Sequence, residues 1–186
     1  MRGVMRNPSR REVLIAAAAG AVGLPPPSPA RARPTQQLIW VVNQRNEELA
    51  TTYKRADGGY DLNALARLQH LFRDVRENVP GPLPPMLIEL LAILQESFGF
   101  DRPINLHSGY RTPRTNASIG EGASPRSYHL HGMAADIAMR GIAPLDLALA
   151  AHSISQRLGM MGIGLYNRFV HVDIGPTARW TRIVRS

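Results

Sequence analysis

The sequence predicts an α+β fold, a small antiparallel sheet packed against helices. Three observations lead there. Apolar residues recur at spacings of three and four in two segments before residue 100 and in one after Pro144. Short runs rich in Val, Ile and Leu punctuate the remainder. Helices come first and strands mainly later, without the strict alternation that a parallel α/β sheet requires. A chain of 186 residues is long enough for one domain with a real core.

Taken in order, Leu38–Val42 is a β-rich apolar run and reads as a strand. Ala56-Asp-Gly-Gly59 signals a turn, and Asp61 is a suitable N-cap for a helix. Leu65, Leu68, Phe72 and Val75 give that helix one apolar face and an end near Asn78. The run Pro80-Gly-Pro-Leu-Pro-Pro85 breaks it. Met86, Leu87, Leu90, Leu91, Leu94 and Phe98 mark a second helix, stopped by Gly99. Ile104–Ser108 reads as a short strand, Tyr110 to about Ser127 as a polar loop, and Ala134–Met139 as another strand. Pro144 opens a third helix through Leu145, Ala148, Ala151, Ile154 and Leu158. Gly162–Tyr166 and Phe169–Ile174 form a hairpin around Asn167-Arg168. There is no internal repeat.

Residues 1–32 read as a targeting segment rather than part of the fold. Arg2, Arg6, Arg10 and Arg11 make a basic start, Val13–Leu24 is uncharged, and Ala30-Arg31-Ala32 is a small-x-small cleavage site after a Pro-rich stretch. Cleavage is expected between Ala32 and Arg33, leaving a domain of residues 33–186. The apolar run is too short for a stable membrane span. Ser9-Arg-Arg-Glu-Val-Leu-Ile15 resembles a twin-arginine export signal, an address read by a receptor. It implies the twin-arginine machinery as a partner and a periplasmic destination. Removing the segment leaves 17 basic and 13 acidic residues, a net of +4 where the whole chain carries +8. With no Lys/Arg run in what remains, nucleic acid is excluded as a partner. The chain has no cysteine, so disulfides and thiolate metal ligands are excluded too.

That leaves His and carboxylates to carry chemistry. Asp136 falls in a strand among Ala, Ile and Met, where an unpaired carboxylate is expensive to bury. His129 stands seven positions earlier, at the end of a loop that can return it to the same centre. His171 is mid-strand, with Val170 and Val172 turned to the opposite face. Taken singly, each reads as a core histidine or a salt-bridged aspartate. As a set of two His and one Asp they match a zinc site that keeps a fourth position open.

The motifs Ser108-Gly-Tyr-Arg111-Thr-Pro-x-x-Asn116, Ser127-x-His129-x-x-Gly132-x-Ala134-x-Asp136, Gly162-x-Gly164-x-Tyr166 and Phe169-Val-His-Val-Asp-x-Gly175-Pro-x-x-x-Trp180 resemble the YcbK-like murein endopeptidases. These belong with the LAS-type zinc peptidases, alongside lysostaphin-like enzymes, D-Ala-D-Ala carboxypeptidases and the hedgehog domain. The resemblance implies one zinc per chain, held by His129, Asp136 and His171, and hydrolysis of peptide cross-links in peptidoglycan. Its stem peptides are then the substrate. Arg111, after the Ser-Gly-Tyr110 turn, suits a stem carboxylate through a bidentate guanidinium; a structural ion pair is the alternative. Tyr110, Ser127 and Tyr166 are further candidates for substrate contact or oxyanion support.

Many such enzymes carry an acid three residues before the last ligand or a His two before it. Here those positions are Arg168 and Phe169. Asp173 emerges on the same face as His171 and is a candidate catalytic base, or a group that orients His171. His131 and His107 are read as walls of the cleft, His70 and His152 as structural. The resembling family has an Asn-x-His-Thr-Gly-Glu-like turn after its first strand, where this chain has Asn43-Gln-Arg-Asn-Glu-Glu48. Two other activities fit the same motifs: a D,D-carboxypeptidase, and a non-catalytic zinc module that binds wall or a protein partner.

Overall fold

The computed structural model describes residues 37–119 and 124–183. The targeting segment and the expected cleavage site lie outside the described residues. In chain order the elements are β1 (Leu38–Asn43), β2 (Glu48–Thr52), α1 (Leu62–Leu71), α2 (Pro85–Glu96), β3 (Ile104–Ser108) and α3 (Pro113–Ser118). A 3-10 turn (Tyr128–His131) follows, then β4 (Ala134–Met139), α4 (Pro144–Leu158), β5 (Gly162–Tyr166), β6 (Val170–Asp173) and β7 (Ala178–Arg182). The fold is α+β, as expected. Seven strands form one sheet in the order β2-β1-β3-β4-β6-β5-β7. The pairs β1–β2, β3–β4, β4–β6 and β5–β6 are antiparallel, whereas β1–β3 and β5–β7 are parallel.

Strand periodicity divides the sheet into two faces. One carries Ile39, Val41, Ile104, Leu106, Ala135, Ile137, Ile163, Val170 and Val172 into the core with Leu87, Leu91 and Leu94 of α2 and Leu147, Ala151 and Ile154 of α4. The other face carries the intervening residues of the same strands, including Asp136, His171 and Asp173. Core packing thus fixes the strands whose opposite face presents the polar groups. Among the described residues no helix is long and apolar enough to cross a membrane.

Several elements depart from expectation. Helix α1 begins at its expected cap, where Asp61 accepts from the backbone N–H of Asn63 and Ala64, but ends at Leu71 rather than near Asn78. Beyond it, buried Asp74 accepts from the N–H of Arg76 at 3.0 Å and of Glu77 at 3.3 Å, an Asx-type turn that competes with the helix. Asp74 and Val79 then pair through their backbones and close the loop. The polar loop after Tyr110 contains a short helix, α3. Its cap is Thr112, whose Oγ1 accepts from Thr115 N, and Pro113 occupies the first turn. Strands β2 and β7 lie at the two edges of the sheet, and most of their residues are exposed, so neither carries a buried alternating face. Leu145 and Leu158, expected on the inner face of α4, are exposed.

Candidate metal centre

Each of the three expected ligands is delivered by a different local device. The 3-10 turn that carries His129 begins at Ser127, whose Oγ accepts from His129 N at 3.4 Å. It ends at Gly132, in the left-handed region at φ +64°, where a Cβ would collide with the carbonyl oxygen of Pro82. That residue lets the chain enter β4 with His129 folded back over the strand. Asp136 on β4 and His171 on β6 are direct register partners, so their side chains emerge side by side on the site face. All three residues are buried.

Their ligating atoms converge. His129 Nε2 is 3.2 Å from Asp136 Oδ1 and 3.1 Å from His171 Nδ1, and His171 Nδ1 is 2.9 Å from Asp136 Oδ1. Ligands about 2.0–2.1 Å from a tetrahedral ion stand about 3.3 Å apart, so the triangle has the size of one face of such a site. Proton bookkeeping makes the case chemical. His129 Nδ1 lies 2.6 Å from the carbonyl of Gly109, which only accepts, so Nδ1 carries the proton and Nε2 a lone pair. His171 Nε2 lies 3.1 Å from Asp173 Oδ2, which places its proton there and leaves Nδ1 bare. Two imidazole lone pairs and a carboxylate oxygen then point at one another, an arrangement that needs a cation between them.

The charge environment agrees. Burial holds His129 below its ordinary range, favouring the neutral, ligating form. Burial acts the same way on His171, but the hydrogen bonds and charges of Asp136 and Asp173 outweigh it and hold it above its ordinary range. Asp136 resists the upward push of burial because His129, His171 and Arg111 hold it well below the usual carboxylate range.

Around this triangle the structure places the remaining expected residues. Asp173 has both oxygens engaged: Oδ2 on His171 Nε2, and Oδ1 accepting from Gly162 N at 3.1 Å and Gly175 N at 2.7 Å. Arg111 donates from Nη2 to the outer oxygen of Asp136 and from Nε to Ser108 Oγ at 2.7 Å. Tyr110 lines a cavity of about 240 Å³ beside the triangle, walled also by Asn43, Gln44, His107, Arg111 and Asp136. The Tyr166 hydroxyl accepts from Trp180 Nε1 at 3.1 Å, and its ring stacks on Phe169 at 4.4 Å. The Ser127 hydroxyl serves the backbone of the 3-10 turn. His107 stacks on Phe169 at 5.7 Å. His131 and His70 are exposed, and His152 contacts Arg179.

Two groups of site residues escape sequence reasoning. Asn43 and Gln44, in the segment where the resemblance weakens, reach the cavity because β1 pairs in parallel with β3, which sets Asn43 opposite Leu106 and lets the Gln44 amide donate to the carbonyl of His107. Nothing in local sequence announces that pairing. Ser108 and Trp180 do lie within the matched motifs; Ser108 meets Arg111 through a local turn, whereas the meeting of Trp180 with His171 emerges only from the register.

Residues 30–180 match the model of the peptidase M15_2 family, described as peptidoglycan L,D-endopeptidase MepK. The chain is 36% identical over 180 residues to the peptidoglycan L,D-endopeptidase MepK of Escherichia coli (strain K12), covering 92% of this chain and 97% of that protein. The protein of that name in Shigella flexneri matches to the same extent. The probable peptidoglycan L,D-endopeptidase MepK of Haemophilus influenzae is 32% identical over 128 residues, 66% of this chain and 67% of that protein. With a family model spanning most of its length and the Escherichia coli relative covered almost end to end, the chain belongs to the peptidase M15_2 family.

Proposed function

We propose that the protein is a zinc-dependent murein endopeptidase that hydrolyses peptide cross-links of peptidoglycan in the periplasm. The observation that carries this is the meeting of two imidazole lone pairs and one carboxylate oxygen within about 3.2 Å, backed by family membership. The relatives' names point to L,D bonds as the cross-links attacked. Zinc held by His129, Asp136 and His171 would supply Lewis acidity toward the scissile carbonyl.

The chain's own groups divide the remaining work. Asp173 fixes the tautomer of His171 rather than serving as base, since its oxygens are taken by His171 and two backbone N–H groups. Arg111 holds the outer oxygen of Asp136, and its Nη1 is the group we assign to a carboxylate of the stem peptide in the adjoining cavity. Tyr110 walls that cavity, and Tyr166 borders the site through its contacts with Phe169, a wall of the same cavity, and Trp180. Ser127 acts through the turn that presents His129. Residues 1–32 direct export through the twin-arginine machinery and are removed near Ala32, leaving residues 33–186 as the working domain.

Incubating the exported protein with purified sacculi, followed by muropeptide chromatography, tests the reading. Cross-linked dimers should convert to monomers in a zinc-dependent manner. Release of terminal D-alanine without loss of dimers would identify a D,D-carboxypeptidase instead. Zinc binding with neither change would identify a wall-binding module.

A further inference from the structure

Trp180 lies on edge strand β7, whose neighbouring residues are exposed, yet its indole is turned inward over the sheet. The register explains how. Gly164 of β5 pairs with His171 on one side and with Trp180 on the other, so the three form a row across β6, β5 and β7. A Cβ on Gly164 would stand 2.5 Å from the indole, so the middle of the row must be bare for the ring to lie across it. Lying there, the indole reaches the imidazole of His171, with ring centroids 5.1 Å apart and planes inclined at 47°. Its Nε1–H donates to the Tyr166 hydroxyl, and Tyr166 is itself stacked on Phe169 at an interplanar angle of 15°. The indole is therefore held at Nε1 by Tyr166 while its ring lies against the imidazole of His171.

We infer that Trp180 is a positioning residue of the metal centre: its indole, laid across Gly164, is the lateral stop that keeps His171 turned with Nδ1 toward Asp136 and Nε2 toward Asp173. An imidazole held at Nε2 alone keeps freedom to tilt about that one hydrogen bond. A half-turn about Cβ–Cγ would put a ring carbon where the ligating nitrogen belongs. Asp173 and the indole together remove both motions, one by a directed hydrogen bond and the other by contact. The inference rests on the metal-binding reading of His129, Asp136 and His171, and it extends that reading to a residue outside the ligand set and its hydrogen-bond partners.

Three variants test it: Trp180→Ala, Trp180→Phe and Gly164→Ala. Zinc affinity is measured on metal-free protein by competition with a chromophoric chelator, and the visible spectrum of the cobalt-substituted protein reports ligand geometry. Trp180→Ala should weaken zinc by about tenfold or more, as loss of groups that orient a ligand does, and alter the cobalt bands. Gly164→Ala, which keeps the indole but lifts it off the strand, should do the same. Trp180→Phe returns a ring to His171 and should recover most of the affinity. Thermal unfolding of the metal-free variants registers any loss of fold; if Trp180→Ala does not fold, the comparison of Gly164→Ala with Trp180→Phe still decides. Zinc affinity within about twofold of the native protein in Trp180→Ala and Gly164→Ala, with unchanged cobalt bands, would overturn the inference. So would a Trp180→Phe protein as weak as Trp180→Ala, since the ring contact would then not be what matters. A native protein that takes up no zinc would instead overturn the metal reading itself.

Discussion

Asp136 stands between Ala135 and Ile137, both fully buried, and its own carboxylate is nearly so. A charge there needs an answer at each oxygen: Arg111 supplies it at one, and at the other, where the two imidazoles converge, a cation would. Asp173 sits one step further out and is answered by His171 and two backbone N–H groups. The two aspartates therefore do different work, and substitution separates them. Asp136→Ala should abolish metal uptake and activity together. Asp173→Asn should weaken metal affinity by about tenfold or more, with turnover largely restored at saturating zinc. Assaying Asp173→Asn on sacculi across a zinc titration checks this; turnover that stays absent at full occupancy would return Asp173 to the role of base.

At the scale of elements, the turn between β1 and β2 is tied to the loop after α1. Buried Arg73 grips Glu47 with two hydrogen bonds of 2.7 Å and donates to Asn78 and to the carbonyl of His70. Asn43, next to the cavity, shares Glu47 and the carbonyl of Leu71. Hydrogen bonds from Arg73 and Asn43 pull the Glu47 carboxyl down to about 2 from its ordinary 4.5. A depressed carboxyl binds fewer protons folded than unfolded, so its contribution is complete above about 4.5 and fades as pH falls toward about 2. The Glu47 side chain is 37% exposed, so solvent screening keeps that contribution modest. The melting temperature of metal-free Glu47→Gln should thus lie below that of the metal-free native protein near neutrality, and the gap should narrow through that acid window. A gap independent of pH would show that the pair does not clamp the turn. In the core, Ile137→Ala on β4 should cost about 2–5 kcal/mol by chemical denaturation. Because Ile137 precedes no ligand on its own face, zinc stoichiometry should survive wherever the variant remains folded.

These elements also show what a linear reading reaches. Helices α2 and α4 and strands β1, β3, β4, β5 and β6 were legible because one face of each is buried and periodicity records burial. The His129, Asp136 and His171 set was legible because a chain without cysteine leaves metal binding to His and carboxylates, and the motifs that carry the family resemblance imply which of them. Strands β2 and β7 were not, since edge strands of mostly exposed residues carry no such period. The end of α1 was hidden because Val75 continues the apolar spacing, while the Asp74 side chain overrides it through backbone hydrogen bonds. The cavity walls at Asn43 and Gln44, and the partner of Trp180, depend on which strands lie side by side. Local sequence does not encode that.

For the whole molecule, the sheet acts as a partition. Helices α2 and α4 and the core occupy one side, and the three converging ligand groups occupy the other, so packing and chemistry draw on alternate residues of the same strands. No disulfide reinforces the arrangement, because the chain has no cysteine. A chain that needs no disulfide to fold suits export in the folded state, the route that the Ser9–Ile15 motif suggests. Replacing Arg10 and Arg11 together by Lys should leave the precursor in the cytoplasm on fractionation. Normal processing of that variant would contradict the twin-arginine assignment.

The central claim is that His129, Asp136 and His171 form one metal site made for zinc. Elemental analysis of the purified exported protein and of its His129→Ala variant tests it most directly. About one zinc per native chain and none in the variant is the result expected. A native protein without zinc, or a variant that retains it, would contradict the account.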